Sequence, residues 1–114
     1  MSTPNMGLPE MPQNSMQPSV PYNAAMQRID ALTQLVPLDK DLTTPPVTVA
    51  GDAGKTWIVG PAATGAWAGK DGQIAICTGA TLWDFVPPKN GWKAFVIDEG
   101  ADYRYNGTAW AIVP

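Results

Sequence analysis

The chain has 114 residues, with seven basic and ten acidic side chains, no histidine and one cysteine. This length is about that of one domain, and the lack of any basic run argues against nucleic acid as a direct partner. One cysteine without histidine excludes Ser-His-Asp and Cys-His catalytic sites and an ordinary zinc site. No apolar run reaches the roughly 18 residues of a membrane span, and the N-terminus lacks the order of a signal peptide. We therefore expect synthesis in the cytoplasm and no membrane contact.

The N-terminal segment, residues 1–22, differs in composition from the rest of the chain. It holds five of the twelve prolines, and all five methionines lie within residues 1–26. Proline blocks helix interiors and favours extended backbone before it, so we predict an extended arm that is disordered alone and orders on a partner. Methionine side chains adapt to irregular pockets. The candidate partner-binding residues of this arm are Met6, Leu8, Met11, Met16 and Tyr22.

Residues 23–50 are predicted to form one helix and an extended linker. Asn23 is a suitable N-cap for a helix over residues 24–36, which Pro37 would end. A helix of about thirteen residues is marginal alone, so its apolar stripe must be buried, either on the chain's own β-domain or against copies of the chain. The sequence leaves both open, and we treat the stripe as a candidate oligomer interface. Its residues are Ala25, Ile29, Leu32 and Val36.

Residues 51–114 are predicted to form a small antiparallel β-domain, because short apolar or aromatic runs alternate there with glycine turns. We expect consecutive strands to pair as hairpins, with positive φ angles in the turns at Asp71-Gly72, Thr78-Gly79, Asn90-Gly91 and Asn106-Gly107. The fold class is therefore mainly β: repeated hairpins, preceded by one α-helix and an extended Pro/Met-rich arm. The predicted strands cover residues 56–59, 73–77, 82–86, 92–97, 102–105 and 109–113.

An internal repeat supports the hairpins. Residues 77–87 and 105–114 share the order turn, tryptophan, apolar residue, valine and proline, with one extra residue in the first loop. This pattern predicts two similar hairpins in which a tryptophan covers its own turn and the neighbouring strand. Cys77, at the start of the first copy, follows an apolar run and is expected to be buried.

The five tryptophans have two interpretations. Large aromatic side chains supply the buried area that a small domain otherwise lacks, and this is the interpretation that we adopt. The alternative is a platform on which sugar rings stack, with Trp67, Trp92 and Tyr103 as its candidate residues. A platform of this kind would make the chain a carbohydrate-binding module that contacts the host cell surface.

Carboxylates are the remaining candidates for catalysis. Asp84, Asp98, Glu99 and Asp102 could in principle supply the acid and base of a glycosidase. However, Asp98-Glu99-Gly100 has the composition of a turn between two strands, where acidic residues are favoured for backbone geometry and solvation. We therefore expect a protein that is not an enzyme, with no catalytic residues, no cofactor and no metal, and keep a glycan hydrolase as the weakest alternative.

Several segments together carry a resemblance to a known family: residues 57–60, residues 63–75 with their Thr-Gly-Ala-Trp-Ala-Gly core, residues 91–100 and residues 105–110. The chain resembles a family of uncharacterised domains found in phage, prophage and gene-transfer-agent fibre or spike proteins. The resemblance implies a structural role in a virion and brings no catalytic residues. Members of that family commonly sit within longer fibre proteins, whereas this chain stops at Pro114. We therefore expect another chain, such as a longer distal fibre protein, to carry any receptor-binding tip.

The sequence and the resemblance together predict a virion structural protein. We expect a short head or tail fibre, a spike base or an adaptor, anchored by its arm to a capsid or tail protein. Fibres usually have cyclic symmetry, so a homo-oligomer is expected, first a trimer and alternatively a pentamer.

Overall fold

The structure is a computed structural model that describes residues 3–9 and 19–114, with residues 19–22 described by their backbone. The described residues form one α-helix, six β-strands and two single-turn 3-10 helices, so the prediction of a mainly β fold is confirmed. The helix is α1 (Ser19–Leu32), and the strands are β1 (Thr56–Ile58), β2 (Ile74–Gly79), β3 (Leu82–Val86), β4 (Lys93–Val96), β5 (Ala101–Tyr105) and β6 (Trp110–Ile112). Each of the six predicted strands contains or overlaps one of these.

The strands form two antiparallel three-stranded sheets. The first sheet has the order β1-β2-β3 and the second has the order β4-β5-β6. Every pairing joins strands that are consecutive in the chain, but the consecutive strands β3 and β4 do not pair, so the hairpin prediction is wrong at that point. The chain changes sheets between β3 and β4.

The internal repeat corresponds to the last hairpin of each sheet. Cys77 pairs with Trp83 across β2 and β3, and Tyr105 pairs with Trp110 across β5 and β6. The rings of Tyr105 and Trp110 contact edge to face, with 5.3 Å between their centroids. The two tryptophans that recur in the sequence therefore occupy matching positions opposite the residue that opens each repeat.

Three of the four predicted positive φ angles are confirmed, at Gly72, Gly91 and Gly107. The prediction was wrong at Gly79, which lies inside β2, where the register shifts between Cys77 and Gly79. The positive φ angle of this turn, 56°, falls on Thr81 instead. The backbone N–H of Thr81 donates to the Oγ1 of Thr48 at 2.8 Å, and this hydrogen bond holds the turn from outside the hairpin.

Residues 35–39, after the helix, join the two sheets. The N–H groups of Phe95 and Ile97 in and after β4 donate to the carbonyls of Leu35 and Pro37, both at 3.0 Å. On the other side, Leu38 N–H donates to Thr56 at 2.8 Å and Ile58 N–H donates to Asp39 at 2.9 Å. Pro37 has no N–H, so the segment cannot make a complete ladder, yet it connects the edges of β1 and β4.

Two apolar clusters form the core. The larger one fills the space between the two sheets and the end of the helix, and consists of Ala31, Leu35, Ile58, Ile74, Ile76, Val86, Ala94, Val96 and Tyr103. The smaller one lies on the other side of the first sheet and consists of Trp57, Val59, Trp67, Ala75 and Cys77, partly covered by Leu38, Leu42, Ala63, Trp83 and Phe85. Alternate residues of β1 and β2 therefore enter different clusters, as the period of two in a strand requires. The prediction that Cys77 is buried is confirmed.

The helix differs from its prediction at both ends. It begins at Ser19 and ends at Leu32, whereas residues 24–36 were expected, and Asn23 lies inside it instead of capping it. Pro21 is tolerated because it stands in the first turn, where backbone N–H groups have no partner within the helix. At the other end Gln34 adopts a φ of 54°, which stops the helix before Pro37. Among the described residues, no helix is long and apolar enough to cross a membrane.

The first described residues are not a free extended arm, which corrects the prediction for that part of residues 1–22. Residues 3–8 form a turn in which Thr3 N–H donates to Leu8 and Gly7 N–H donates to Thr3. The carboxylate of Asp30 in α1, 2% exposed, holds this turn. It accepts hydrogen bonds from Thr3 Oγ1 at 2.7 Å, from Asn5 N–H at 2.8 Å and from Met6 N–H. Met11 and Met16 lie outside the described residues.

A candidate interaction surface

An open groove lies between the end of α1 and the start of β4. It encloses about 610 Å³, and its walls are mainly apolar. Apolar side chains of the helix, of the segment after it and of the second sheet line it together with polar and basic ones: Ile29, Leu32, Leu35 and Trp92, with Thr33 and Gln34 and with Arg28 and Lys93. The groove is open because the helix ends at Leu32 and the chain then turns into residues 35–39, which leaves the side of the last helical turn uncovered.

An ion pair holds Arg28 on the helix side of this groove. Arg28 Nε donates to Asp84 Oδ2 and Arg28 Nη2 donates to Asp84 Oδ1, both at 2.8 Å, so the guanidinium binds the carboxylate with two parallel hydrogen bonds. The hydrogen bond to Asp84 is the main cause that raises the pKa of Arg28. Because Arg28 is on α1 and Asp84 is on β3, this pair links the helix to the first sheet at the surface.

The predicted helix stripe is divided by the structure. Leu32 packs against the large core cluster, and the helix buries Ala31 and Asp30 beside it, so the helix does pack on its own β-domain. Ala25, Ile29 and Val36 remain exposed, with Ile29 at 46% and Val36 at 43%. Their proposed role in contacts between copies stays a prediction, and Ile29 and Leu32 both lie in the groove.

Two residues of the predicted arm can be placed. Met6 is exposed and Leu8 is half-buried, while the side chain of Tyr22 lies outside the described part of the chain. Met6 lines a second cleft of about 430 Å³ together with Val36 and Ile97. The structure thus brings Met6 beside a residue of the helix stripe, because the turn of residues 3–8 folds back on Asp30.

The three residues of the predicted glycan platform do not share an exposed surface. Trp67 is fully buried, and Tyr103 is 7% exposed, so neither presents a ring face that a sugar could cover. Trp67 and Trp57 each contact Trp83 edge to face, with centroids 5.2 Å and 5.4 Å away. Trp92 alone of the three is partly exposed, in the groove. The platform fails because alternation along β5 turns Tyr103 into the larger cluster, and the 3-10 helix of residues 65–67 buries Trp67 in the smaller one.

Acidic residues gather at the far end of β4. Asp39, Asp41 and Asp98 each place a carboxylate oxygen within 4.8 Å of the others. Lys40 lies among them, with its Nζ 3.2 Å from Asp41 and 3.6 Å from Glu99. Burial tends to lower the pKa of Lys40, but its hydrogen bond to Asp41 and the neighbouring negative charges leave that pKa raised. The ammonium supplies a positive charge here, and the three carboxylates alone offer few of the oxygens that a hard cation requires.

The four carboxylates weighed as glycosidase residues belong to two different places. Asp84 is bound by Arg28 on the first sheet, whereas Asp98, Glu99 and Asp102 lie in or beside the turn between β4 and β5. Residues 97–100 form that turn, with Gly100 at a φ of 62°, as predicted. Glu99 accepts a hydrogen bond from the hydroxyl of Tyr103, and this bond is the main cause that raises the pKa of Tyr103.

The family model of DUF2793, described as a protein of unknown function, matches residues 22–111. The chain belongs to the DUF2793 family. No curated protein matches the sequence. The DUF2793 region contains α1 from Tyr22 onward, both sheets and every residue of the groove, whereas the turn of residues 3–8 precedes it. The residue that holds this turn, Asp30, lies inside the DUF2793 region.

Proposed function

We propose that this DUF2793 protein is a non-enzymatic structural component of a phage-type particle: a short head or tail fibre, a spike base or an adaptor on a capsid or tail protein. The observation that carries the proposal is the apolar groove. Ile29, Leu32 and Trp92 form an open apolar surface beside the basic Arg28 and Lys93, and interfaces commonly combine an apolar centre that excludes water with polar groups at the edge. The resemblance of residues 57–75 to phage fibre and spike domains supports the setting.

The proposed activity is attachment. A neighbouring subunit of the particle would bury the exposed part of Ile29 and Trp92, and the segment before Tyr22 would contact a capsid or tail protein. Copies of the chain would associate around the particle's symmetry axis, three or five in number for a cyclic contact. The protein would therefore be found in the virion.

Incorporation into particles tests this proposal. Ile29→Lys places a charge in the groove, and because Ile29 is already 46% exposed the variant should fold. The matched control is Val47→Lys, at a residue that is 91% exposed and does not line the groove. Particles purified from the strain that carries the gene should lack the Ile29→Lys protein and contain the Val47→Lys protein. Equal incorporation of both variants would contradict the proposed role of the groove.

Carbohydrate binding remains the second candidate, because Trp92 is partly exposed beside Lys93 in a groove of sufficient size for a sugar ring. Trp92→Ala should then abolish any change in tryptophan fluorescence that host polysaccharide produces. If the polysaccharide leaves the fluorescence of the unchanged protein unaltered, glycan binding through this groove is excluded.

A further inference from the structure

The second sheet has one side that the described chain leaves uncovered. Ala94, Val96 and Tyr103 point into the large core cluster, so the residues between them on β4 and β5 point away from it. We call this side the outer face. It consists of Lys93 and Phe95 on β4, Asp102 and Arg104 on β5, and Ala111 on β6, which pairs with Arg104. Val36 also belongs to it, since it lies beside Phe95, whose N–H donates to the carbonyl of Leu35. Phe95 is 41% exposed.

In the first sheet, the corresponding side is covered by other parts of the chain. This side carries Trp57 and Trp83, and the chain covers them with Leu42 from before β1 and with Ala63 and Trp67 from between β1 and β2. The second sheet repeats the same three-stranded arrangement, and within residues 3–9 and 19–114 it has no corresponding cover. Val36 and Phe95 therefore form an apolar centre that is open to solvent.

Charged residues surround this centre in an ordered pattern. Lys93 lies directly opposite Arg104, and two like charges at opposed positions of a sheet are unfavourable unless a negative group joins them. Asp102 lies two residues before Arg104 on the same side of β5, about 7 Å away along the strand. Among the described residues, none of these three side chains belongs to an ion pair.

We propose that the outer face binds the outer face of a second copy of this chain. The two copies are related by a two-fold axis that lies between the two faces, parallel to them, and runs perpendicular to β5. Such an axis reverses the strand direction, so Arg104 of each copy meets Asp102 of the other. The same rotation places Lys93 over Phe95 of the second copy, where a cation and an aromatic ring attract each other. A strand that carries opposite charges two residues apart is thus complementary to itself, as an isologous contact requires.

This inference deepens the proposed function, because it names one partner and the residues that bind it, and its surface shares only Lys93 with the groove. The outer face has only four neighbouring chain segments spaced about 4.8 Å apart, so the contact is small and the dimer should dissociate on dilution. Alone it gives a dimer. Combined with a cyclic contact it joins two rings, so the number of subunits is even.

Charge exchange on β5 tests the contact. Arg104→Glu and Asp102→Arg, each alone, should raise the dimer dissociation constant at least about tenfold, because each brings two pairs of like charges together. An equimolar mixture of the two variants, and the double variant that carries both changes, should restore association to within a few-fold of the unchanged protein. Lys55→Glu is the control for Arg104→Glu, since it changes the net charge equally at an exposed residue before β1. The ion pair that it loses, with Asp52, lies off the outer face.

Sedimentation velocity over a concentration series at low salt provides the measurement. The inference is overturned if both single variants associate as the unchanged protein does, if the double variant fails to restore what they lose, or if the native number of subunits is three or five. A three- or five-subunit protein whose incorporation depends on Ile29 would overturn this inference and leave the proposed function intact. Conversely, the protein could dimerise as the charge exchange predicts while its Ile29→Lys variant still enters particles. That result would support this inference and contradict the proposed role of the groove.

Discussion

At the scale of single residues, Asp30 joins the start of the chain to the helix. Its buried carboxylate accepts hydrogen bonds from Thr3, Asn5 and Met6, and so holds the first turn of the chain on α1. These partners are 24 to 27 residues away in the sequence. Helical periodicity places Asp30 off the apolar stripe and cannot detect partners at that distance, so the sequence predicted a free arm and indicated no role for Asp30.

Replacing Asp30 should therefore destabilise the protein strongly. Asp30→Ala leaves one hydroxyl and two backbone N–H groups without their acceptor, and we expect the free energy of unfolding to fall by roughly 2 to 4 kcal/mol. Urea unfolding measures it. Asp71→Ala is the matched control, because Asp71 also accepts two backbone N–H groups, from Ala62 and Ala63, but at an exposed position. A loss no larger than that of the control would contradict the role assigned to Asp30.

Tyr103 gives a prediction for high pH. Its hydroxyl donates to Glu99, and this raises the pKa of Tyr103 above its ordinary value of 10.0. A phenol whose pKa is higher in the folded than in the unfolded state contributes stability that is fully present below the unfolded pKa and is lost as the pH rises through the folded pKa. The raised pKa of Lys40 acts in the same direction.

The stability of the protein should therefore fall as the pH rises above 10.0, and Tyr103→Phe should reduce that fall while keeping the ring in the core. Urea midpoints from about pH 8 to pH 11 measure the effect. Tyr105→Phe is the control, since Tyr105 has no carboxylate partner among the described residues. If Tyr103→Phe and the unchanged protein lose stability equally over this range, the hydrogen bond to Glu99 does not contribute.

At the scale of elements, the six strands could be predicted and the connection between the sheets could not. Alternating residues such as Trp83 and Phe85, and glycines such as Gly91 and Gly107, are local signals that indicate strands and their turns. Residues 35–39 carry no such signal. Their apolar residues extend the helical pattern, and Pro37 suggests only an end, so the sequence placed residues 35 and 36 in the helix and the following residues in a linker.

Hydrogen exchange tests the joining role of residues 35–39. The amides of Ile58, Phe95 and Ile97 donate to this segment, so we expect them to exchange as slowly as amides inside the sheets. The amide of Thr108, which bonds only to the exposed side chain of Asn106, serves as the fast reference. Exchange of Phe95 and Ile97 at the rate of that reference would show that the two sheets are not connected there.

The candidate site could be predicted only in part. The apolar stripe identified Ile29 and Leu32, and both line the groove. The sequence missed that Trp92 and Lys93 form the opposite wall, because this wall exists only once β4 lies beside the end of α1. The sequence also indicated Trp67 and Tyr103 as candidate exposed rings, whereas both are buried in a core cluster. The alternation of β5 was visible around Tyr103, but which side of the strand faces the core depends on how the two sheets meet.

At the scale of the whole molecule, the two ends of the second sheet carry opposite charges. Lys93 and Arg104 lie at one end of the second sheet, whereas Asp39, Asp41 and Asp98 lie at the other, with Val36 and Phe95 between the two ends. A surface with an apolar centre and opposite charges at its ends favours association of copies in opposed orientation. Exposed charge pairs are screened by salt, so this association should weaken as the ionic strength rises.

The native mass of the purified chain, measured by light scattering over a range of protein and salt concentrations, tests most directly the claim that this protein acts by association. A single chain has a mass of 12.1 kDa. We expect a multiple of that mass at high protein concentration, with a decrease toward the single-chain mass on dilution and on addition of salt. A mass of 12.1 kDa at every concentration would contradict it.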